Sequence, residues 1–170
     1  MELIVVNPTM ILGDARYAES SGMVYRRVSK ARRHYPAGGN GFVGASDLIR
    51  VMAALDEAAD RGQPGILGER FVVSSEDLSY RELMGWVAQG LGVEAPVKPL
   101  SGWMLGLVWR AATLWGFLSG KPAQLTRDMA KNTRIQHRYN TSKVRGALPG
   151  FAGTPSRGVS QETTRDGLSR

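Results

Sequence analysis

The sequence predicts an α/β fold in which the last strands of a parallel sheet are followed by a mainly helical lobe. Three observations carry this expectation. Leu3, Ile4, Val5 and Val6 form an unbroken apolar run with two adjacent valines, the habit of a short strand buried on both faces of a parallel sheet. A second run, Phe71-Val72-Val73 within residues 69–74, follows an amphipathic helical stretch. Strand, helix and strand in that order form a parallel crossover unit. Beyond residue 76 the pattern turns helical, with a capped helix and then a long apolar run at residues 101–120. The chain thus divides into a sheet-forming part, 1–75, a helical lobe, 76–150, and a tail, 151–170. The tail is dominated by Gly, Ser, Thr and Arg and is expected to be disordered.

Taken in order, the elements follow from local chemistry. Pro8 lacks an N–H and has a fixed φ, so the first strand should end near it. Residues 8–12 read as a loop leaving the carboxyl end of that strand, where open α/β sheets bind ligands. Gly13-Asp14 reads as a turn. Residues 15–34 contain a basic helix, with Met23, Val24 and Val28 on one face and Arg26, Arg27, Lys30, Arg32 and Arg33 around the rest. Its charged side is either solvated or offered to phosphate or anionic lipid. Ser46 or Asp47 is expected to cap a helix whose apolar face is Leu48, Ile49, Met52, Leu55 and Ala59. Gly62, Pro64 and Gly65 end it. Ser79-Tyr80-Arg81-Glu82 is a capping box that opens a helix with Tyr80, Leu83, Met84, Val87 and Leu91 on one face, closed by Gly92.

Residues 101–120 are the least polar stretch. Trp103, Met104, Leu105, Leu107, Val108, Trp109, Leu114, Trp115, Phe117 and Leu118 leave almost no polar face. The run is near the lower limit for a membrane span, and Arg110 in its middle would cost ~2.5–3.5 kcal/mol on insertion scales. A helix buried over a pocket or subunit contact is the preferred reading, with an interfacial membrane helix as the alternative. Lys121-Pro122 stops the run, and Thr126 can cap a short helix through Lys131.

One motif invites a false assignment. Gly38, Gly41 and Gly44 have the G-x-x-G-x-x-G spacing with which backbone N–H groups cradle a pyrophosphate. That use requires a buried strand immediately before the glycines. Arg32-Arg33-His34-Tyr35-Pro36-Ala37 is basic, polar and interrupted by proline, so it does not supply one. The stretch is read instead as a turn leading into the next helix.

Several of these segments, in this order, resemble the extended short-chain dehydrogenase/reductases, the NAD-dependent epimerase/dehydratase family. Asn7-Pro8-Thr9-Met10-Ile11-Leu12-Gly13-Asp14 is similar to the family's Arg/Asn-Pro-Ser/Thr-x-x-Tyr/Leu-Gly-Pro, with Asp14 in place of the usual proline. Tyr35-Pro36, Phe42-Val43 and Asp47 are similar to its Tyr-Pro-Gly-Gly-x-x-x-Phe-Val-(Asp/His)-Val-x-Asp segment, with Gly44 in place of Asp or His. The capped Leu78-Ser79-Tyr80-Arg81-Glu82-Leu83 helix resembles the family's C-terminal lobe. Tyr139-Asn140-Thr141-Ser142-Lys143 also contains Tyr-x-x-x-Lys, the family's catalytic spacing. Catalysis needs both residues on one helical turn, so that the lysine lowers the pKa of the tyrosine. Asn140-Thr141-Ser142 is a turn and cap sequence, so the pair should straddle a helix start. It looks instead like the family's late Tyr-x-x-Ser-Lys segment, which packs the last helix.

The resemblance implies a partial Rossmann-like sheet followed by a substrate-binding lobe, the C-terminal half of a longer enzyme. The Gly-rich cofactor loop and the catalytic Ser/Tyr/Lys set would lie upstream of Met1, in a missing N-terminal half, and no catalytic residue is expected in this chain. The implied cofactor is NAD or NADP. Pro8, Thr9 and Met10 are expected against its nicotinamide end, and Asn7, Tyr35, Phe42 and Trp103 around the substrate. Met10 stands where sugar-nucleotide epimerases usually carry asparagine. Its presence favours a dihydroflavonol-reductase-like or hydroxysteroid-dehydrogenase-like branch and a largely apolar small-molecule substrate. The implied reaction is hydride transfer at a hydroxyl or carbonyl carbon by the full-length enzyme, with this part inactive alone. A homodimer and a membrane-surface contact are further partners that this reading admits.

Composition narrows the alternatives. The 170 residues carry a formal charge of +7 and no cysteine, so neither disulfides nor thiolate metal sites arise. Two histidines, His34 and His137, stand far apart in sequence, and no metal site is expected. The N-terminus lacks a basic segment followed by an apolar core, so the cytoplasm is the expected compartment, with membrane association admitted. The basic balance also suits a non-enzymatic membrane-surface or nucleic-acid-binding module built on residues 25–34 and 101–120. The family resemblance favours the enzyme, for which no nucleic-acid partner is expected.

Overall fold

The computed structural model describes residues 3–13, 22–30, 33–104, 106–107, 110–111, 113, 132, 134–151 and 153–159. The first apolar run enters a strand only at its second half, β1 (Val5–Pro8), with Leu3 left exposed, and the second lies within β5 (Arg70–Val73); the two pair in parallel with Val5 opposite Arg70 and Pro8 opposite Val73. The 16-residue helix α2 (Ala45–Asp60) lies between them in the chain, as the strand–helix–strand pattern requires. β1 ends at Pro8, and the next residue bonds once more to the neighbouring strand, Thr9 N–H to the Val73 carbonyl at 3.0 Å.

The stretch expected to be a loop after Pro8 is a second strand. β2 (Met10–Leu12) pairs in parallel with β4 (Gly39–Gly44), and β4 pairs antiparallel with β6 (Glu76–Ser79). β4 is the glycine-rich stretch expected to be a turn. Strand propensity disfavours Gly39-Asn40-Gly41, but here the glycines admit close neighbours. A Cβ on Gly39 would stand 2.3 Å from the Leu78 carbonyl oxygen across the β4–β6 pair. Tertiary pairing therefore overrides local preference. A further short parallel pair joins β3 (His34–Tyr35) to β7 (Lys98–Pro99).

The helices bury one face each. α1 (Gly22–Ser29) buries Val24, Tyr25 and Val28 and packs on α3 (Tyr80–Leu91). Tyr25 thus belongs to the core rather than to the basic face. α3 begins with a complete capping box. Ser79 Oγ accepts from Glu82 N–H at 3.2 Å, and Glu82 Oε2 accepts from Ser79 N–H at 3.0 Å. Leu83, Met84, Val87 and Ala88 are buried, and Gly92 closes the helix in the left-handed region at φ 67°. Only glycine takes that conformation without strain.

α2 departs from its expected face. Asp47, Val51, Leu55 and Ala58 are buried, whereas Ile49 and Met52 are 67% and 51% exposed. Asp47 thus shares the buried face with Val51, Leu55 and Ala58, and in that rotation Ile49 and Met52 point outwards. The start also differs, because Gly44 occupies the cap position and makes no side-chain cap bond.

Two buried clusters interleave along the chain. One gathers Leu12, Val24, Tyr25, Val28, Tyr35 and Phe42 with Leu78, Leu83, Met84, Val87, Ala88 and Val159. The other gathers Val43, Val51, Leu55, Ala58, Ile66, Phe71 and Val73 with Val144 of the helix Ser142–Ala147. The expectation of disorder from residue 151 fails over its first part: Thr154 and Ser156 are hydrogen-bonded to the body and Val159 is buried. The rest of that tail, 160–170, lies outside the described residues. So do residues 14–21, Leu105, Val108, Trp109, Leu114, Trp115, Phe117, Leu118 and the expected short helix at residues 126–131.

Candidate functional site

The carboxyl ends of β1 and β5 lie side by side, which is where an open parallel sheet receives a ligand. Thr9 follows β1 and Ser74 follows β5. Their hydroxyls are 3.2 Å apart, and Thr9 Oγ1 also lies 3.3 Å from the Val73 carbonyl. Gly41 of β4 closes in on them. A Cβ there would be 2.6 Å from Ser74 Oγ, 2.6 Å from Tyr139 Cδ2 and 2.9 Å from Thr9 Cγ2.

Tyr139 ties this edge to the C-terminal part of the chain. Its hydroxyl donates to Asn40 Oδ1 at 2.8 Å, and its N–H donates to Asp77 Oδ2 at 3.2 Å. The Tyr80 hydroxyl also bonds Asn40; burial nevertheless pushes the Tyr80 phenol above its ordinary range. Beside Tyr139 is a small polar hollow of about 140 Å³, lined by Ser74, Glu76, Asp77 and Arg145 among others. Hydroxyls, two carboxylates and a guanidinium can orient a polar group here.

Each residue expected at a site has a definite place. Pro8 is exposed at the end of β1, Asn7 is half-buried within that strand, and Thr9 is half-buried with its hydroxyl engaged. Met10 lies opposite Phe42 in the β2–β4 pair and packs against the first core cluster. Phe42 is fully buried, its ring edge-on to Tyr80 at 6.3 Å, and Tyr35 is buried in the same cluster. Trp103 is 69% exposed in the helical residues after Ser101. Asn7 to Met10 are therefore contiguous at the sheet edge, while Tyr35 and Phe42 lie in the core beneath the surface. Asn40, Ser74 and Tyr139 complete the edge. Sequence reading missed them because three distant segments converge there, and the only local hint was a tyrosine before a turn.

Both apparent signatures have structural uses. Tyr139 precedes the helix Ser142–Ala147, and Lys143 lies inside it. Lys143 Nζ pairs with Glu69 and lies 5.2 Å from the centre of the Phe71 ring. Tyr139 instead bonds Asn40. The two side chains thus face different partners, as the turn sequence between them predicts.

The glycines offer no cradle for a pyrophosphate. The space above Gly38 is taken by the Ile135 backbone, above Gly41 by Ser74, Tyr139 and Thr9, and above Gly44 by Val159. The first turn of α2, where a phosphate would be expected, carries an acidic side chain of its own, Asp47. That carboxylate has no exposed surface. It accepts from Thr154 N–H at 2.5 Å, from Thr154 Oγ1 at 2.8 Å and from Ser75 Oγ at 3.3 Å, and it pairs with Arg50. Burial pushes its pKa up, but the bonds from Thr154 and Arg50 outweigh burial and hold it below the usual carboxylate value of 3.8. The described residues therefore do not fit a dinucleotide by themselves. Among them, no group of three His, Cys, Asp or Glu side chains could hold a metal ion, and no helix is long and apolar enough to cross a membrane.

No protein-family model and no curated protein matches this chain. Solved structures do. The crystal structure of gox2253 aligns with a TM-score of 0.69 at 21% identity, covering 95% of this chain and 48% of that one. PA4631, a nucleoside-diphosphate-sugar epimerase from Pseudomonas aeruginosa, aligns with a TM-score of 0.68 at 24% identity, covering 96% and 48%. RMD from Pseudomonas aeruginosa, solved with NADPH, aligns with a TM-score of 0.64 at 12% identity, covering 98% and 48%. The chain thus spans about half the length of the solved structures it matches, and at these identities the likeness shows a shared α/β, Rossmann-like fold.

Proposed function

We propose that this chain is the substrate-binding portion of an NAD(P)-dependent oxidoreductase or epimerase, one part of a two-part fold. The observation that supports this most is the fold likeness over 95–98% of the chain to half of each of three solved structures, one an epimerase and one containing NADPH. The finer reading, an extended short-chain dehydrogenase of the reductase-like or hydroxysteroid-dehydrogenase-like branch, rests on residues 7–14 and 35–47.

In this reading the other half supplies the Gly-rich loop and the Ser/Tyr/Lys set, and NAD or NADP supplies hydride to, or removes it from, a hydroxyl or carbonyl carbon. Asn7, Pro8, Thr9 and Met10 form the wall at the strand end, with Pro8 the exposed member. Phe42 and Tyr35 act from beneath, as the packed floor that fixes that wall. Trp103, large and exposed, meets an apolar substrate directly.

The test is reconstitution of this chain with the unmatched half of the PA4631 epimerase, followed by an assay of NADH and NADPH oxidation. Aromatic, steroid-like and terpenoid ketones are compared with nucleotide sugars. Turnover of an apolar ketone, reduced at least tenfold by Trp103→Ala, is the expected result. Preference for a nucleotide sugar, indifferent to Trp103→Ala, overturns the substrate assignment.

A further inference from the structure

Charge is unevenly placed along the chain. Residues 47–94 hold nine of the 15 acidic residues but only four of the 22 basic ones, whereas residues 20–46 and 95–127 contain no Asp or Glu. The fold brings these two acid-free stretches together. Along the β3–β7 pair, Lys98 N–H donates to the Arg33 carbonyl at 3.0 Å and Leu100 N–H to the Tyr35 carbonyl at 2.8 Å. Arg33 and Lys98 are both exposed, and neither is in an ion pair among the described residues. A third cation joins them: the Arg134 guanidinium lies against Gly102, where a Cβ would be 2.6 Å from its Nη1. The same corner carries the two most exposed large apolar side chains among the described residues, Val97 and Trp103, each 69% exposed. Leu107, 57% exposed, stands four residues after Trp103 in helical residues, a spacing that puts both on one helix face. Cations beside uncovered aromatic and aliphatic side chains form the pattern of an interfacial anchor.

We propose that this corner is a peripheral docking surface for an anionic lipid bilayer. Val97, Trp103 and Leu107 enter the boundary between headgroups and acyl chains, and Arg33, Lys98 and Arg134 meet the anionic headgroups. Charge complementarity selects this occupant. The other exposed apolar pair, Ile49 and Met52, lies on α2 together with Asp56, Glu57 and Asp60, where an anionic surface would be repelled. Tryptophan favours the headgroup level because its ring is apolar while its N–H stays wet. Each nearby Lys or Arg strengthens the attraction to anionic lipid about fivefold. The contact is at the surface and needs no spanning helix. It goes beyond the enzymatic reading and stands without it; where both hold, an apolar substrate dissolved in lipid reaches Trp103 from this side.

The experiment sediments the purified chain with vesicles of phosphatidylcholine alone and of three parts phosphatidylcholine to one part phosphatidylserine. Binding to the anionic vesicles should be at least tenfold tighter than to the neutral ones, and the difference should shrink as salt rises. Arg33→Gln combined with Lys98→Gln should weaken it at least tenfold, while Arg61→Gln, at the end of α2, should leave it within twofold. Val97→Ser combined with Leu107→Ser should also weaken it at least tenfold. Both positions are exposed, so the circular dichroism spectrum should not change. Equal binding to the two vesicles, or a loss as large in Arg61→Gln as in the Arg33 and Lys98 variant, overturns the proposal. Binding lost in Ile49→Glu but kept in the Val97 and Leu107 variant overturns it too, and puts the flank of α2 on the bilayer instead. Tighter binding to single-stranded RNA than to vesicles, weakened by the Arg33 and Lys98 changes alone, overturns it in favour of a nucleic acid. No outcome depends on hydride transfer, so failure of this surface and failure of the enzymatic reading are read separately.

Discussion

Gly41 and Asp47 are the single residues on which the local packing turns. Gly41 stands where three segments converge, and its missing side chain is what lets Thr9, Ser74 and Tyr139 meet. Gly41→Ala should therefore destabilise the chain by about 1–3 kcal/mol, the cost of overpacking a tight site, seen as a lower urea midpoint with an unchanged slope. If the glycine served a pyrophosphate instead, the change would appear in dinucleotide titration and leave stability nearly intact. Asp47→Asn should cost about 1–3 kcal/mol at neutral pH, because an amide cannot accept all the bonds that the carboxylate accepts from Thr154, Ser75 and Arg50. The pKa of Asp47 is lowered in the folded chain. Its stabilisation is present above the unfolded carboxylate value and is lost as pH falls through the lower folded value. Urea melts of the wild type and Asp47→Asn should accordingly converge in strong acid and separate towards neutrality. Neither role was visible in the sequence. A glycine in a glycine-rich run gives no sign of which neighbour presses on it, and an aspartate three residues into a helix looks like an ordinary exposed cap.

Legibility at the scale of elements followed how local the deciding force is. The Ser79–Glu82 box was readable because both partners lie within one turn, and its bonds are present as expected. Ser79→Ala should cost about 1 kcal/mol, measurable as a lower melting temperature with α3 still helical at its centre. The hydrogen bond from the Ser79 side chain holds the Glu82 carboxyl below its usual range, so the same variant should return its titration towards the ordinary value. β1 and β5 were readable because each overlaps a short unbroken apolar run, Leu3–Val6 and Phe71–Val73, and such runs have few other uses. β4 was not, since its glycines are selected by partners in β6 and after β5, more than thirty residues away. The face of α2 was half readable: Leu55 lies where periodicity puts it, but a buried Asp47 and an outward Ile49 invert the usual sorting of polar and apolar side chains.

The whole molecule decides what the chain can do alone. A dinucleotide enzyme needs a cradle for the pyrophosphate, a group that moves a proton at the reacting carbon, and a wall that fixes the substrate. In the function proposed here, the described residues would contribute only the wall, at the ends of β1 and β5. The spaces above Gly38, Gly41 and Gly44 are occupied by protein, and the first turn of α2 carries a buried carboxylate, Asp47, which an anion there would have to face. Tyr139 and Lys143, the one pair with catalytic spacing, are bonded to Asn40 and Glu69 respectively. The two side chains therefore do not share the one helical face that the catalytic pair requires. The purified chain should thus show no heat of binding with NADH or NADPH and no turnover of alcohols or ketones. Tyr139→Phe should leave that blank unchanged while lowering stability by about 0.5–1.5 kcal/mol for the lost bond to Asn40. Tight cofactor binding by the chain alone, with turnover abolished in Tyr139→Phe, would show instead that Tyr139 and Lys143 rearrange onto one catalytic face when cofactor binds.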